Sequence, residues 1–135
     1  MLSTYSILLK ASGLSQREAA WLHDVRIDTI KKWCQASGNR APLAVVQELA
    51  ALIVKQGEAA DEVDDLVASR SEQPEVIELG VASDDREAQT LGWPTATAHA
   101  MTLAIVAARL ISDGHNVQIV PRGSTVATAG AAQQH

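Results

Sequence analysis

The sequence predicts an α+β chain in which an all-helical N-terminal domain precedes a small strand–helix–strand unit. Three observations carry that expectation. Residues 13–33, GLSQREAAWLHDVRIDTIKKW, have the spacing of two short helices joined by a tight turn. Charge divides between the halves: residues 1–56 hold seven basic and four acidic residues, a net of +3, whereas residues 57–135 hold four basic and twelve acidic, a net of −8. After Pro74 the helical repeat gives way to EVIELGVA, a strand-like mixture of β-branched and apolar residues.

The elements follow in order. Ser3 to Ala11 makes a first helix with Ser3 as N-cap and Ile7 and Leu8 facing inward, closed by Ser12 and Gly13. Past Leu14, Ser15 and Glu18 form the S-x-x-E capping box, so a second helix begins at Gln16. Ala19 and Ala20 are small enough for another helix to approach closely. A third helix starts near Ile27, after Asp24 and Val25, with Ile30 and Trp33 on one face. Its other face offers Asp28, Thr29, Lys31, Lys32 and Gln35. A short helix that is apolar on one side and hydrogen-bonding on the other is what reading a DNA groove requires.

Residues 36–41, ASGNRA, are a loop, and Pro42 fits the first turn of a fourth helix. Leu43, Val46, Leu49, Ala50 and Ile53 continue it, and Gly57 is expected to interrupt it. Glu58 to Ser69 reads as an exposed amphipathic helix, and Ser71 to Pro74 as a linker. Glu75 to Ala82 is a first strand, and Asp84 to Thr90 a short helix capped by Ser83. Gly92, Trp93 and Pro94 turn a corner into an apolar helix that begins after Thr95 or Thr97 and ends at Ser112. Asn116 to Pro121 is a second strand. The expected domains are therefore 1–57, helical; 58–74, acidic helix and linker; 75–122, α+β; and 123–135, a disordered tail.

Composition narrows the function classes. A hydrophobic content of 47% argues against wholesale disorder. The single cysteine, Cys34, makes neither an internal disulfide nor a zinc finger. The opening MLSTYSILLK lacks the basic start and long apolar core of a secretory signal. The most apolar segment, Ala96 to Ile111, is interrupted by Thr97, His99, Thr102 and Arg109, so it reads as a buried helix and not a membrane span. A cytoplasmic protein without a membrane partner is expected. His23 with Cys34, or His99 with an acidic residue, lacks a strained nucleophile turn, a phosphate loop or a spaced metal-ligand set. Neither catalysis nor a cofactor nor a metal is expected. With four aromatic residues and no Phe, a single-strand stacking surface is not expected either. Trp33 and Trp93 are expected in the core, and Trp21 is either exposed or packed against the C-terminal half.

Residues 13–33 resemble the helix-turn-helix of the Xre/Cro, or lambda-repressor-like, family of DNA-binding regulators. Ser15-Gln16 opens the second helix, Ala20 takes the small packing position, and Val25, Ile30 and Trp33 take core positions, the likeness running to Ile53. Two positions depart from the pattern: His23 stands where the family has a buried leucine, and Asp24 where it has the turn glycine. Aspartate tolerates the left-handed conformation that such a turn needs. The layout as a whole is also similar to regulators associated with anti-CRISPR operons.

The resemblance implies a homodimer that represses its own operon from a palindromic operator in double-stranded DNA. It implies that Gln16, with Arg17 beside it, meets backbone phosphate at a helix N-terminus. It places Arg26, Asp28, Thr29 and Lys32 at base edges, where lysine or arginine reads guanine and aspartate accepts from cytosine. Gln35 reads adenine or touches phosphate, and Lys31, Asn39 and Arg40 are phosphate contacts. Ile27 is left between a thymine methyl and the core. The second half looks too small to bury itself, so self-association is expected through Val76, Ile77, Trp93, Leu103, Val106, Val117 and Ile119. The competing use of that surface is a toxin partner, as in a DNA-binding antitoxin.

Overall fold

The computed structural model describes residues 3–36 and 40–124, which form a mixed, mostly helical α+β structure. The chain divides into two compact units, residues 1–56 and 57–135. Of the expected tail, 123–135, Gly123 and Ser124 instead complete a short 3-10 turn, Arg122–Ser124, and the rest lies outside the described residues.

The first unit contains α1 (Thr4–Ser12), α2 (Gln16–His23), α3 (Ile27–Cys34) and the first part of α4 (Leu43–Ser69). Ser3 caps α1 by accepting from the Ser6 N–H at 3.0 Å, and Gly13 closes it with φ 82°. The buried residues of α1 are Tyr5, Ser6, Leu9 and Ser12; of the two expected to face inward, Leu8 is half-buried and Ile7 points out. Ile7 is 54% exposed, because a helix buries residues four and three apart, and Tyr5 leads that row. The expected capping box of α2 is complete: Ser15 Oγ accepts from Glu18 N at 3.1 Å, and Glu18 Oε1 accepts from Ser15 N at 2.8 Å. Leu14, Ala19, Ala20, Ile30, Trp33, Leu49 and Leu52 are also buried in this unit.

Pro42 O accepts from Val45 and Val46, starting α4, which then runs for 27 residues, about 40 Å. Gly57 does not interrupt it. The inner positions of its first part are Leu49, Leu52 and Gln56, whereas Leu43, expected to face inward, is 71% exposed. Buried Gln56 donates from Nε2 to Ser12 O at 2.9 Å.

The second unit begins within α4. The segment expected to be an exposed acidic helix instead contributes Ala60, Val63 and Val67 to a core with Ile77, Val106 and Leu110. Its acidic face keeps Asp61 and Asp64 for Arg109, whose Nη1 donates to them at 2.6 and 3.0 Å. These two hydrogen bonds push the Arg109 pKa up.

β1 (Ile77–Val81) and β2 (Val117–Pro121) form a two-stranded parallel sheet with Ile77 opposite Val117 and Val81 opposite Pro121. A parallel pair needs a long crossover. Here it is α5 (Asp85–Thr90) and α6 (Ala96–Ser112). The N-cap of α5 is Asp84, accepting from Glu87 N at 2.8 Å; Ser83, expected there, instead donates to Glu87 Oε2. Thr95 caps α6. His99 is buried, its Nδ1 accepting from Ala82 N at 3.0 Å and its ring stacked on Trp93. Among the described residues no helix is long and apolar enough to cross a membrane.

Candidate nucleic-acid interface

The joint between α2 and α3 is three residues long, and Asp24 makes it turn. Its φ of 55° and ψ of 51° are left-handed, and its N–H bonds back to the last turn of α2. Asp24 alone among the described non-glycine residues has positive φ. A short polar side chain bears that conformation at lower cost than a branched one. The strain lies where the sequence departs from glycine.

From that turn α3 leaves with its two sides sharply divided. Ile30 is fully buried and Trp33 is 8% exposed. Asp28, Lys31 and Lys32 occupy the opposite side and are exposed, with exposed Gln35 at the C-cap. Thr29 and Cys34 lie between and are half-buried, whereas Ile27 is 37% exposed. Arg26 is the N-cap residue, exposed, with no side-chain capping bond. Among the described residues no ion pair engages Arg17, Arg26, Lys31 or Lys32.

At the start of α2, Gln16 is half-buried and Arg17 exposed; Arg40 is exposed ahead of α4. Asn39 lies outside the described residues. The sequence thus placed Asp28, Lys31 and Lys32 on one face, and α3 brings them together. Gln16 and Arg17 belong to the neighbouring helix, α2.

An aromatic cluster that the sequence did not announce sits beneath α3. Tyr5, His23 and Trp33 pack with ring centroids 5.6 to 6.3 Å apart. Ser3 Oγ also donates to Trp33 O at 2.7 Å, tying the start of α1 to the end of α3. The His23 side chain is fully enclosed, and its Nδ1 lies 2.6 Å from Glu48 Oε1. Burial, then Cys34 and Glu48, push the Tyr5 phenol well above its ordinary range, so it stays protonated. The 4-and-3 spacing of Tyr5, Leu9 and Ser12 was the signal that could have found this cluster. Trp21, by contrast, is 60% exposed on α2.

Of the residues expected at a dimer surface, Ile77, Trp93 and Val106 are buried inside the second unit. They close its own core, which the C-terminal part of α4 completes. Val76, Leu103 and Val117 are half-buried, and Ile119 is 47% exposed. No family model, curated protein or solved structure matches the chain.

Proposed function

We propose that this protein is a sequence-specific regulator of transcription that binds double-stranded DNA through α3, in the manner of an Xre/Cro helix-turn-helix. The observation that carries the proposal is the division of α3. Ile30 and Trp33 hold it from inside while Asp28, Lys31, Lys32 and Gln35 stand in solvent. A major groove admits one helix, and those side chains supply donors and an acceptor for base edges and phosphates. Arg17, Arg26 and Arg40 add positive charge to a unit whose net charge is +3. The acidic second unit contributes no such surface and serves association. A homodimer then presents two copies of α3 to an inverted repeat, about 34 Å apart, and represses the operon that carries it.

Selection from a random duplex pool is the test, and a palindromic motif is the expected result. Affinity for that motif should fall roughly a thousandfold or more between about 50 and 200 mM salt, given about six to ten phosphate contacts per dimer. A pool from which no motif is enriched sinks the proposal.

A further inference from the structure

We infer that the free edge of β1, with the groove beside it, docks a second copy of this chain strand against strand. The inference rests on the homodimeric reading above and names the surface that reading needs. Among the described residues β1 is paired on one side alone. Ile77 donates its N–H to Asn116 O at 2.8 Å, so Ile77, Leu79 and Val81 turn their backbone groups toward β2. The alternate residues, Glu78 and Gly80, turn theirs outward. That edge ends at Ala82, whose N–H is already given to His99 Nδ1.

The outer edge of β2 is guarded and that of β1 is not. On β2 the outward positions are Val117, Ile119 and Pro121, and Pro121 has no N–H to offer. β1 has no proline or lysine, and its one charge is Glu78. Beside β1 lies a groove of ≈ 650 Å³ whose apolar lining includes Val63, Leu66, Val67 and Leu79. Leu66 is 62% exposed on its wall. An unpaired edge continuous with an apolar groove takes an extended strand carrying apolar side chains at alternate positions.

The residues of β1 supply such a strand. An antiparallel two-fold centred on Leu79 sets Glu78 opposite Gly80 of the second copy, and each pair exchanges N–H and C=O. A two-fold centred on Glu78 would set two carboxylates face to face, which is destabilising; this one sets each carboxylate against a residue with no side chain. Ile77 then faces Val81 of the second copy, a β-branched pair. The groove also holds both signs of charge, Arg70 with Glu72 and Glu78, so a symmetric copy meets it with the same set reversed.

Sedimentation equilibrium of the full chain without DNA, over a concentration series, tests the inference. The chain should dimerise, and Leu66→Lys and Gly80→Pro should each raise the dissociation constant about tenfold or more. The Gly80 N–H faces outward, so proline there spares the ladder to β2, and Leu66→Lys changes an exposed side chain. Circular dichroism should find both variants folded. In a Cys34→Ser background, Leu79→Cys should oxidise to a covalent dimer and Ile119→Cys should not. A chain that stays monomeric, a constant unmoved by Leu66→Lys, or cross-linking through position 119 instead of 79 overturns it. A dimer that passes these tests yet selects no DNA motif defeats the DNA reading and leaves this surface standing. A monomer that selects a half-site does the reverse.

Discussion

Replacing His23 by leucine should stabilise the first unit, and the reason lies in the two ring nitrogens. Nδ1 faces Glu48 Oε1 at 2.6 Å, and a carboxylate only accepts, so Nδ1 carries a proton and donates it. Nε2 is buried with no partner among the described residues. A buried polar atom left unsatisfied costs about 1–3 kcal/mol. The bond to Glu48 contributes about 1–2 kcal/mol, discounted because that carboxylate is half-exposed. Removing the ring also gives up its contacts with Tyr5 and Trp33, about 0.5 kcal/mol each. Leucine has similar bulk, adds no polar atom and returns about 1.5–3 kcal/mol of apolar burial. Glu48 is exposed enough to be rehydrated when it loses its partner. The terms leave His23→Leu more stable by about 1–2 kcal/mol. Urea unfolding followed by tryptophan fluorescence measures it, Trp33 lying against the substituted site. Tyr5→Phe is the companion, since it deletes another buried polar atom without a partner among the described residues, the Tyr5 hydroxyl, and should be neutral or stabilising. A His23→Leu protein less stable by 1 kcal/mol or more would mean that the bond to Glu48 outweighs the orphaned nitrogen.

Three further outcomes are expected. Lys32→Ala should lower DNA affinity by about 1–3 kcal/mol and relax one base position, whereas Lys31→Ala should weaken all sequences alike and reduce the salt slope by about one; equal loss of sequence preference in both would contradict the division of roles. His99 should make the second unit acid-sensitive: burial and Arg122 hold its pKa below 6.5, against an opposing pull from Glu87. The native state then binds fewer protons than the unfolded chain, so the stability due to His99 is present above pH 6.5 and lost as pH falls through the lower folded value. Urea midpoints at pH 7.5 and 5 should separate, and His99→Gln should narrow that gap; an unchanged gap would assign the effect elsewhere. Gly57→Ala should raise stability by about 0.5–1 kcal/mol, because a Cβ there meets nothing within 4 Å and glycine is costly inside a helix; a lower urea midpoint would argue against a continuous α4.

The helices were legible where local chemistry decides them. Ser3, Ser15 and Thr95 announce their helix starts because a hydroxyl three residues before a free N–H is a local device. The parallel partnership of β1 with β2 was not legible, since pairing forty residues apart leaves no local mark. Gly57 misled for a related reason. Its intrinsic cost of about 1 kcal/mol suggests a break, but the helix runs through it, with Leu49 and Leu52 buried on one side and Ala60 and Val67 on the other. Packing of that amount outweighs a single propensity. The same helical continuity gave the second unit the apolar side chains it had seemed to lack.

In the candidate site, the polar face of α3 was readable and its support was not. Asp28, Lys31 and Lys32 fall on one side by helical period alone, opposite Ile30 and Trp33. Two bonds beneath that face come from far along the chain: Ser3 reaches Trp33 O of α3 from 30 residues away, and Glu48 reaches His23 of α2 from 25. A pattern of apolar residues does not contain such pairs. On the proposed reading they matter, because an α3 rotated by one residue, about 100°, would present a different set of side chains to a groove. If α3 reads DNA as proposed, its sequence preference should depend on Ser3 as well as on the side chains of its exposed face. Ser3→Ala, which removes only the hydroxyl holding Trp33 O and capping α1, should broaden base preference while leaving the exposed charge of α3 intact, and a preference as sharp as the wild type's would show that Ile30 and Trp33 fix the helix unaided.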